Sequence, residues 1–565
     1  MCIANKKRAR APKYSSVWFM LGISIVSGLI FYAVLFGLGT LKFSAVDWIY
    51  INQKDLLLNQ LGWEWFRQTP WSYPVGFLSE FGFPTGSYAS MSDPILLLGI
   101  PFKLFSEHLN DSFQYLGLWQ LISLIGQLFC GMLIFREFTS SFFARFLGAS
   151  LLVLSPPFLF RFFYHVSLTA QWVILLGIWF VLLERKRKLW RGGWFILIAL
   201  TTMIHMYLVV MVVALWLLGA FLRLSGKEAL GRLFLEALSI IATVAFIDYS
   251  MGLFALRLGA LSSNELGDFS WNLNGFINSQ NYSSVFSDLG LRNFKQYEGF
   301  SYLGLGNLLL VPIATVLYFK AQKFGPQLEK LLPFLFFSIG LAIIALSQKA
   351  FFGVYTLWNI DLPEKIHALY SVFQSTGRFI WPVFYLIVIF GVSQVVKKFR
   401  FSSALLVVVL ALQFFDIYPL LQAKKINTEA VYESPLKTEL WQDAASAHER
   451  IMLLPARNPV GIYEPFAIYT SKARIPLNLV YVSRVDSDAV FLYGENTLRN
   501  LVNEESDSGT LYVFWDESYE TNLVASLQNT MIVCKVDGYT VGLSTSNPIA
   551  SKALAENEVC SIPKK

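Results

Sequence analysis

Groups that could move a proton or bind a charged ligand are concentrated in a few parts of the 565-residue sequence. The aromatic-rich segment 40–112 contains several carboxylates, namely Asp47, Asp55, Glu64, Glu80 and Asp93. A carboxylate within hydrogen-bond reach of a substrate hydroxyl can accept its proton as the hydroxyl attacks. The ordinary alternative for each of them is a solvated charge or a helix cap.

Cations and imidazoles stand near the ends of later apolar runs. They are Arg161, His165, His205, Lys349, His367 and Arg378. Such donors suit the headgroup of a phosphate-bearing lipid. The alternatives are that arginine and lysine near helix ends extend to the membrane interface, and that a histidine satisfies a backbone carbonyl. Asp248 lies inside an apolar run, where an ionisable residue is a functional candidate by default, although it is near the end of that run.

The composition defines the elements that must position these groups. Hydrophobic residues make up 55% of the chain, charged residues 15%, and the mean hydropathy is +0.51. These values exclude a disordered chain and an ordinary cytosolic enzyme. Apolar runs of about 20 residues, long enough to cross a bilayer, predict a polytopic α-helical membrane protein. The net charge of +7 is small and scattered, which does not favour nucleic-acid binding, and four cysteines show no zinc-ligand spacing.

About eleven spans are predicted. They cover 17–39, 113–135, 142–160, 167–183, 193–204, 206–222, 233–254, 302–319, 331–348, 379–396 and 402–418. Basic residues such as the cluster 6–13, the run 185–188 and the run 397–400 fall on one side when these spans alternate. The positive-inside rule then places the N-terminus in the cytoplasm and the C-terminus outside. A single helix over 193–222 is the alternative, but it would turn the run 397–400 outward.

The segment 40–112 becomes the first outer loop in this topology. Its many Trp, Tyr and Phe residues favour the headgroup level of a membrane, and 56–66 suits a helix lying in the interface. We expect the loop to pack down on the helical bundle and to wall a cavity at the outer surface.

Charges become frequent and long apolar runs stop after Pro419. We therefore predict a transmembrane domain over 1–423 and an exported α/β domain over 424–565. Within the second, strands are predicted at 450–454 and 510–514, a hairpin at 531–543, and helices near 435–449 and 518–528. Cys534 and Cys560 could form a disulfide in an oxidising compartment, and two free thiols are equally compatible with the spacing.

Several short stretches recur in a fixed order along the membrane region. They are Asp55 with LGWEWFR at 61–67, PW at 70–71, SDPIL at 92–96, FQYLGLW at 113–119, His165 with LTAQW at 168–172, YEGFSYLGLG at 297–306, and STGRFIWP at 375–382. With these stretches the chain resembles the GT-C superfamily of membrane glycosyltransferases, and more closely a bacterial family of GT-C-like polytopic proteins. Their order along the chain carries the resemblance. Asn59 stands where relatives are expected to have histidine, which leaves Asp55 as the stronger candidate in the first loop.

The resemblance implies transfer of a sugar from a polyprenyl-phosphate-linked donor to a surface glycan, such as lipopolysaccharide O-antigen, or to a lipid-linked acceptor. The reaction would take place on the outer face of the bacterial plasma (inner) membrane, with the C-terminal domain in the periplasm, and direct displacement would invert the anomeric carbon. Its partners would be the donor, the acceptor and membrane lipids, with no nucleic acid.

Each candidate residue has a role under this reading. Asp55 is the expected base, with Asp47 in reserve. The donors and acceptors expected to bind substrate are Asp93 and Glu298 for sugar hydroxyls or acceptor, and Arg161, His165, Arg378 and His205 for the lipid phosphate side. A phosphate leaving group needs such cations more than it needs a strong acid. No cofactor is required, and the loop carboxylates could bind a divalent metal although no spacing demands one.

Two other functions compete with glycosyl transfer. A non-catalytic lipid-glycan transporter or flippase would need a polar path across the bundle, which the few charges inside the spans do not favour. A membrane assembly protein would need fewer spans than eleven.

Overall fold

The computed structural model describes residues 16–186, 191–225, 229–253, 265–320, 324–457, 461–484, 486–503, 505–516, 527, 531–547, 549–550 and 560–561. Contacts divide the chain into two compact units. The helical unit comprises Met1–Leu41, Leu116–Thr243 and Ser262–Ile426. The mixed unit comprises Lys42–Tyr115, Val244–Leu261 and Asn427–Lys565. The predicted cytoplasmic cluster 6–13, the basic pair 187–188 and, except for Leu527, the predicted helix 518–528 lie outside the described residues.

The secondary structure is mainly helical. The α-helices are α1 Val17–Leu35, α2 Asp47–Asn52, α3 Lys54–Gln68, α4 Leu96–Leu104, α5 Leu116–Arg136, α6 Phe142–Val153, α7 Pro156–Phe162, α8 Trp172–Arg185, α9 Gly192–Thr202, α10 Met206–Ser225, α11 Leu230–Ser250, α12 Leu305–Lys320, α13 Phe324–Leu346, α14 Glu364–Ser371, α15 Trp381–Lys398, α16 Ser402–Lys424, α17 Glu439–Ala447, α18 Tyr463–Ala473 and α19 Ser487–Val502. The strands are β1 Phe77–Leu78, β2 Ser87–Tyr88, β3 Lys349–Phe352, β4 Tyr355–Asn359, β5 Arg450–Leu454, β6 Thr510–Phe514, β7 Met531–Val536, β8 Tyr539–Ser544 and β9 Cys560–Ser561.

Among the described residues, eight helices are long and apolar enough to cross a membrane, or nine if the bent pair α6 and α7 is one span. The prediction of a polytopic helical membrane protein is confirmed at this level. Helices occupy all eleven predicted positions, but α9 and α12 are shorter. An 11-residue helix such as α9 rises about 16 Å, against about 30 Å of hydrocarbon. Eleven complete spans, and their orientation, therefore stay a prediction. A break at 203–205 separates α9 from α10, which agrees with two helices rather than one.

Small residues set the packing of α5 on α6. A Cβ built on Gly131 would lie 2.9 Å from Cβ of Ala149, and one built on Gly148 would lie 2.9 Å from the ring of Phe135. Such contacts are too short for larger side chains, so glycine lets the two helix backbones approach. The chain then bends by 58° between α6 and α7, where Pro156 begins the second helix. This bend starts the short helix that carries Arg161.

A five-stranded sheet with the order β5-β6-β8-β7-β9 forms the core of the described part of 427–565. Strand β6 runs parallel to β5 and antiparallel to β8. The predicted strands and hairpin are therefore present, and the turn at Asp537 and Gly538 has positive φ at both residues, as type I′ turns require. The predicted helix near 435–449 is α17, whereas α18 and α19 were not predicted.

The segment 42–115 extends this sheet at the β5 edge. Leu477 bridges Ile451 on one side and Phe81 on the other, and its carbonyl accepts from the backbone N–H of Gly82 and Phe83. The sequence assigned this segment to the membrane domain because hydropathy does not report strand pairing. The contacts instead group it with the C-terminal sheet, since the edge backbone groups need hydrogen-bond partners.

The predicted interfacial helix within 56–66 exists as part of α3, but its surroundings differ from the expectation. Every residue of 56–66 is buried. Helix α3 packs against α4 and against α18 of the same unit. Its apolar residues are thus covered by protein, and no lipid-facing stripe is needed to explain them.

The sequence left open whether Cys534 and Cys560 are free thiols or form a disulfide. Cys534 is disulfide-bonded. The antiparallel pairing of β7 with β9 sets Cys534 directly opposite Cys560.

Candidate functional site

A buried carboxylate lies between two arginines in the helical unit. Oε1 and Oε2 of Glu298 accept from Nη1 and Nη2 of Arg161 at 3.1 and 2.7 Å, the bidentate geometry of a guanidinium–carboxylate pair. Nε of Arg378 donates to the same Oε2 at 2.7 Å. Arg161 also donates to the backbone carbonyl of Glu298 at 3.1 Å. We call these three residues the arginine cluster.

The charges of the arginine cluster are largely buried, which strengthens their interactions with one another. The side chains of Arg161 and Glu298 are 1% and 3% exposed, while Arg378 is 12% exposed. Burial alone would raise the pKa of Glu298, but the charges of Arg161, Arg378 and His165 outweigh it and hold that pKa well below its usual range. Glu298 is therefore ionised, and the cluster has a net charge of +1.

Two 3-10 helices bring these side chains together. Glu298 lies on Phe294–Gly299 and Arg378 lies on Thr376–Ile380. A Cβ built on Gly377 would lie 2.7 Å from Cα of Gly299. Only glycine permits this approach of the two backbones. The two glycines beside Glu298 and Arg378 thus allow the carboxylate and the guanidinium to meet.

Aromatic rings enclose the guanidinium groups. Arg161 lies 5.1 Å from the ring centre of Phe160 and 5.8 Å from that of Trp381, while Arg378 lies 4.6 Å from that of Tyr207. Rings at these distances attract a cation through their negative faces. Tyr207 was not singled out in the sequence, although its position two residues after His205 was a signal that could have found it.

The structure gathers most of the residues predicted to bind the lipid phosphate. Arg161 and Arg378 share Glu298, and His165 lies close enough to influence the pKa of that carboxylate. His205 is linked to Arg378 through Tyr207: Nδ1 of His205 accepts from the backbone N–H of Tyr207 at 3.1 Å, and the Tyr207 ring contacts Arg378. Glu298 was expected to orient sugar hydroxyls or the acceptor, which stays a prediction; in the structure both of its oxygens accept hydrogen bonds from arginines.

The candidate base residues belong to the mixed unit. Asp47 begins α2 and Asp55 lies in the first turn of α3; both are half-buried. Gln53 and Lys54, directly before Asp55, have φ of 48° and 55°, a left-handed conformation that non-glycine residues seldom adopt. Two such residues in succession mark a strained turn, and strain of this kind is concentrated at functional sites.

Two tyrosines of the C-terminal segment lie within electrostatic range of Asp55. Burial is the main cause that raises the pKa of Tyr463 and of Tyr481, and the Asp55 charge raises both further. The two rings lie 6.4 Å apart. Asp55 is therefore within electrostatic range of a pair of phenols, and sequence reasoning could not have found this because more than 400 residues separate Asp55 from either tyrosine along the chain.

Asn59 and Asp93 belong to one local arrangement. Nδ2 of Asn59 donates to the carbonyl of Ser92 at 3.0 Å, which anchors the backbone just before Asp93. Asp93 is half-buried and has a φ of 51°. Asn59 thus stabilises the loop that contains Asp93.

Other carboxylates have structural partners. Glu64 accepts from Tyr50, Gln60 and Ser471 at 2.6, 2.9 and 2.6 Å, so it joins α3 to α18. Asp416, which the sequence reasoning did not consider, accepts from Tyr302 Oη and from the backbone N–H that begins α12, both at 2.8 Å. Asp248 is buried at the end of α11.

A metal site was weighed for the loop carboxylates. Within the part of the chain that the structure describes, no group of three or more His, Cys, Asp or Glu side chains is placed to hold a metal ion. The expectation that no cofactor is required stays a prediction.

Comparison with curated proteins found no match to the sequence. Two solved structures share 11% identity with the chain: the archaeal oligosaccharyltransferase AglB from Archaeoglobus fulgidus with an inhibitory peptide and a dolichol-phosphate, and the Archaeoglobus fulgidus oligosaccharyltransferase tethered to an acceptor peptide containing the NVT sequon. The match to the first structure covers 94% of this chain and 74% of the chain in that structure, with a TM-score of 0.38. The match to the second covers 92% of this chain and 71% of the chain in that structure, with a TM-score of 0.42. Scores this low support no argument about activity.

The family models cover both parts of the chain. The model described as a domain of unknown function, DUF6311, matches residues 25–418. The model of the DUF6311 C-terminal domain matches residues 440–544. The chain therefore belongs to the DUF6311 family.

Proposed function

We propose that this protein is a GT-C glycosyltransferase that moves a sugar from a polyprenyl-phosphate-linked donor to a surface glycan or lipid-linked acceptor. The reaction takes place on the outer face of the bacterial plasma membrane. Arg161, Arg378 and His165 bind the donor phosphate, Glu298 holds the two arginines in place, and Asp55 is the base.

The arginine cluster is the observation that carries this proposal. Removing two guanidinium groups from water is costly, and one carboxylate neutralises only one of them. A net positive charge in a low-dielectric site suits a phosphate, whose negative charge grows as the sugar leaves. Aromatic rings around the guanidinium groups also keep water away, which strengthens their interaction with the departing phosphate.

The proposed step is one displacement. An acceptor hydroxyl attacks the anomeric carbon, the bond from that carbon to the phosphate oxygen breaks, and the hydroxyl proton passes to Asp55. The freed polyprenyl phosphate keeps the bonding electrons and is stabilised by the cations. Attack opposite the leaving group inverts the anomeric centre. Asp47 is the reserve base, Asp93 orients sugar hydroxyls or the acceptor, and His205 is a further donor on the lipid phosphate side.

The experiment replaces Asp55 with Asn and, separately, Asp47 with Asn, and determines the mass of the surface glycan in cells. We expect one of the two variants to lose one specific sugar while its protein level stays normal. Asp111→Asn is the matched control, because it changes an exposed carboxylate of the same segment. Full addition of the sugar in both variants would exclude both assignments.

The same experiment separates the enzyme from a transporter. A flippase variant would reduce the whole surface glycan and leave its complete precursor inside the cell. A glycosyltransferase variant would leave a shorter glycan at the surface, lighter by one sugar residue.

A further inference from the structure

The helical unit contains an open cleft whose lining includes none of the three residues of the arginine cluster. Its volume is about 510 Å³, within the range of small-ligand pockets. Its walls come from the segment between α11 and the 3-10 helix Phe294–Gly299, the start of that 3-10 helix, and the β3–β4 hairpin. The lining residues are Asp268, Arg292, Asn293, Phe294, Lys349, Phe351, Thr356 and Asn359.

The lining combines an aromatic platform with short polar side chains. The side chain of Phe294 is 76% exposed, although it is large and apolar. Thr356 and Asn359 add hydroxyl and amide groups that can both donate and accept hydrogen bonds, and Asn293 adds amide N–H groups beside the oxygen that caps the 3-10 helix. A pyranose ring presents C–H bonds on its face and hydroxyls around its rim, so it matches an aromatic face bordered by such groups.

The charges of the lining favour an anion. Arg292 and Lys349 are cations, and Asp268 is the single carboxylate in the lining. Nζ of Lys349 lies 3.3 Å from Oδ1 of Asp268, so this pair is neutral overall. The guanidinium of Arg292 leaves the cleft with a net charge of +1 and offers the planar fork that suits carboxylates and phosphates.

Buried hydrogen bonds hold the two walls of the cleft at a fixed separation. Asn272 both donates to and accepts from the backbone of Gly353 at 2.8 Å, which fixes the turn of the β3–β4 hairpin. Oε1 of Gln296 accepts from Nδ2 of Asn272 at 3.2 Å and from the backbone N–H of Arg292 at 3.1 Å. The cleft is thus formed before any ligand arrives, and ligand binding need not order its walls.

One helix connects the cleft to the arginine cluster. Phe294 and Glu298 are four residues apart on the same 3-10 helix, a rise of about 8 Å. A chain of sugars lying in the cleft would therefore reach toward the cations that Glu298 positions.

From this geometry we infer that the cleft binds a negatively charged sugar of the acceptor glycan, one bearing a carboxylate or a phosphate. Phe294 stacks on the sugar ring, the amides and Thr356 bind its hydroxyls, and Arg292 pairs with its charge. This inference rests on the proposed function, because it gives the acceptor side of the same reaction a chemical class.

Binding can be measured without turnover. The probes are a glucuronic acid–glucose disaccharide and its neutral counterpart, titrated calorimetrically into the full-length protein in detergent micelles. We expect the charged disaccharide to bind about 10-fold more tightly than the neutral one. Arg292→Gln should remove this difference and Phe294→Ala should weaken both probes. Lys365→Gln, which changes an exposed cation of α14 outside the lining, should bind as the unaltered protein does.

Three results would overturn the inference. These are equal binding of the two disaccharides, no binding of either, or binding that Arg292→Gln and Phe294→Ala leave unchanged. Inorganic phosphate serves as the competitor that tests for a bare anion site: full displacement together with no contribution from Phe294 would also refute a saccharide site. If Asp55→Asn and Asp47→Asn keep full transfer while the charged disaccharide still binds as expected, then the catalytic proposal fails and the cleft stands.

Discussion

Replacing Glu298 with Gln tests whether the arginine cluster is as tightly coupled as its geometry indicates. The substitution keeps the size of the side chain and removes its charge, leaving Arg161 and Arg378 with no shared counter-ion. Charges about 4 Å apart attract by about 4 kcal/mol at an effective dielectric constant of about 20, so two arginines represent about 8 kcal/mol of gross attraction. Breaking a buried pair by removing one partner has a net cost of about 3–5 kcal/mol, which is the destabilisation we expect.

Glu265→Gln is the matched control for this substitution. Glu265 also forms an ion pair, with Lys295, but its side chain is 44% exposed. Removing an exposed pair typically costs about 0–1 kcal/mol. Thermal unfolding of both variants in detergent, followed by circular dichroism, should show a clearly larger fall in melting temperature for Glu298→Gln. Equal shifts in the two variants would refute the view that the cluster holds these connecting segments together.

The acid dependence of the same protein gives an independent check. The pKa of Glu298 is lowered in the folded state, so its stabilising contribution is present at all pH values above the unfolded value of about 4.3. That contribution is lost progressively as the pH falls below the unfolded value toward the lower folded value. The difference in stability between the unaltered protein and Glu298→Gln should therefore be constant near neutrality and shrink only below about pH 5. A difference that already shrinks between about pH 7 and pH 5 would contradict this reasoning.

Two further predictions concern backbone approach and a buried cation. Gly377→Ala should destabilise the protein by about 1–3 kcal/mol and weaken sugar transfer, because the added Cβ would meet Gly299. Gly340→Ala is the control: a Cβ there meets nothing within 4 Å, so the melting temperature should stay unchanged or rise slightly. Equal effects of the two alanines would refute the steric argument. Burial lowers the pKa of Lys103 to about 8, against about 10.4 when unfolded, so the unfolded state binds more protons between these values and stability should rise with pH there. Lys103→Met should abolish that rise in melting temperature, and a rise that persists in the variant would assign it to another group.

The sequence predicted the parts of the fold that depend on local pattern. Helices stand at all the predicted apolar runs because the apolar character of a run is a property of consecutive residues, whatever their distant neighbours are. Strands β5 to β8 and the Asp537–Gly538 turn were predicted for the same reason, since alternation and turn residues are read within about ten positions. The surroundings of α3 could not be read from the sequence, because its aromatic residues suit a lipid interface and a protein core equally well.

The individual residues of the arginine cluster stood out as cations near helix ends and as a carboxylate in a matching stretch. Their pairing did not, because Arg161 and Glu298 are 137 positions apart and Arg378 a further 80. The same holds for Leu477, which gives the segment 42–115 its place beside β5.

Hydropathy and turn chemistry are properties of neighbouring residues, so the amino-acid order alone determined a helical membrane region followed by a sheet. Which charges share a partner, and which strand edge a loop covers, depends on burial that only the assembled chain creates. Tertiary structure alone therefore turned scattered arginines and a glutamate into one buried site, because low-dielectric surroundings make each of those charges depend on the others.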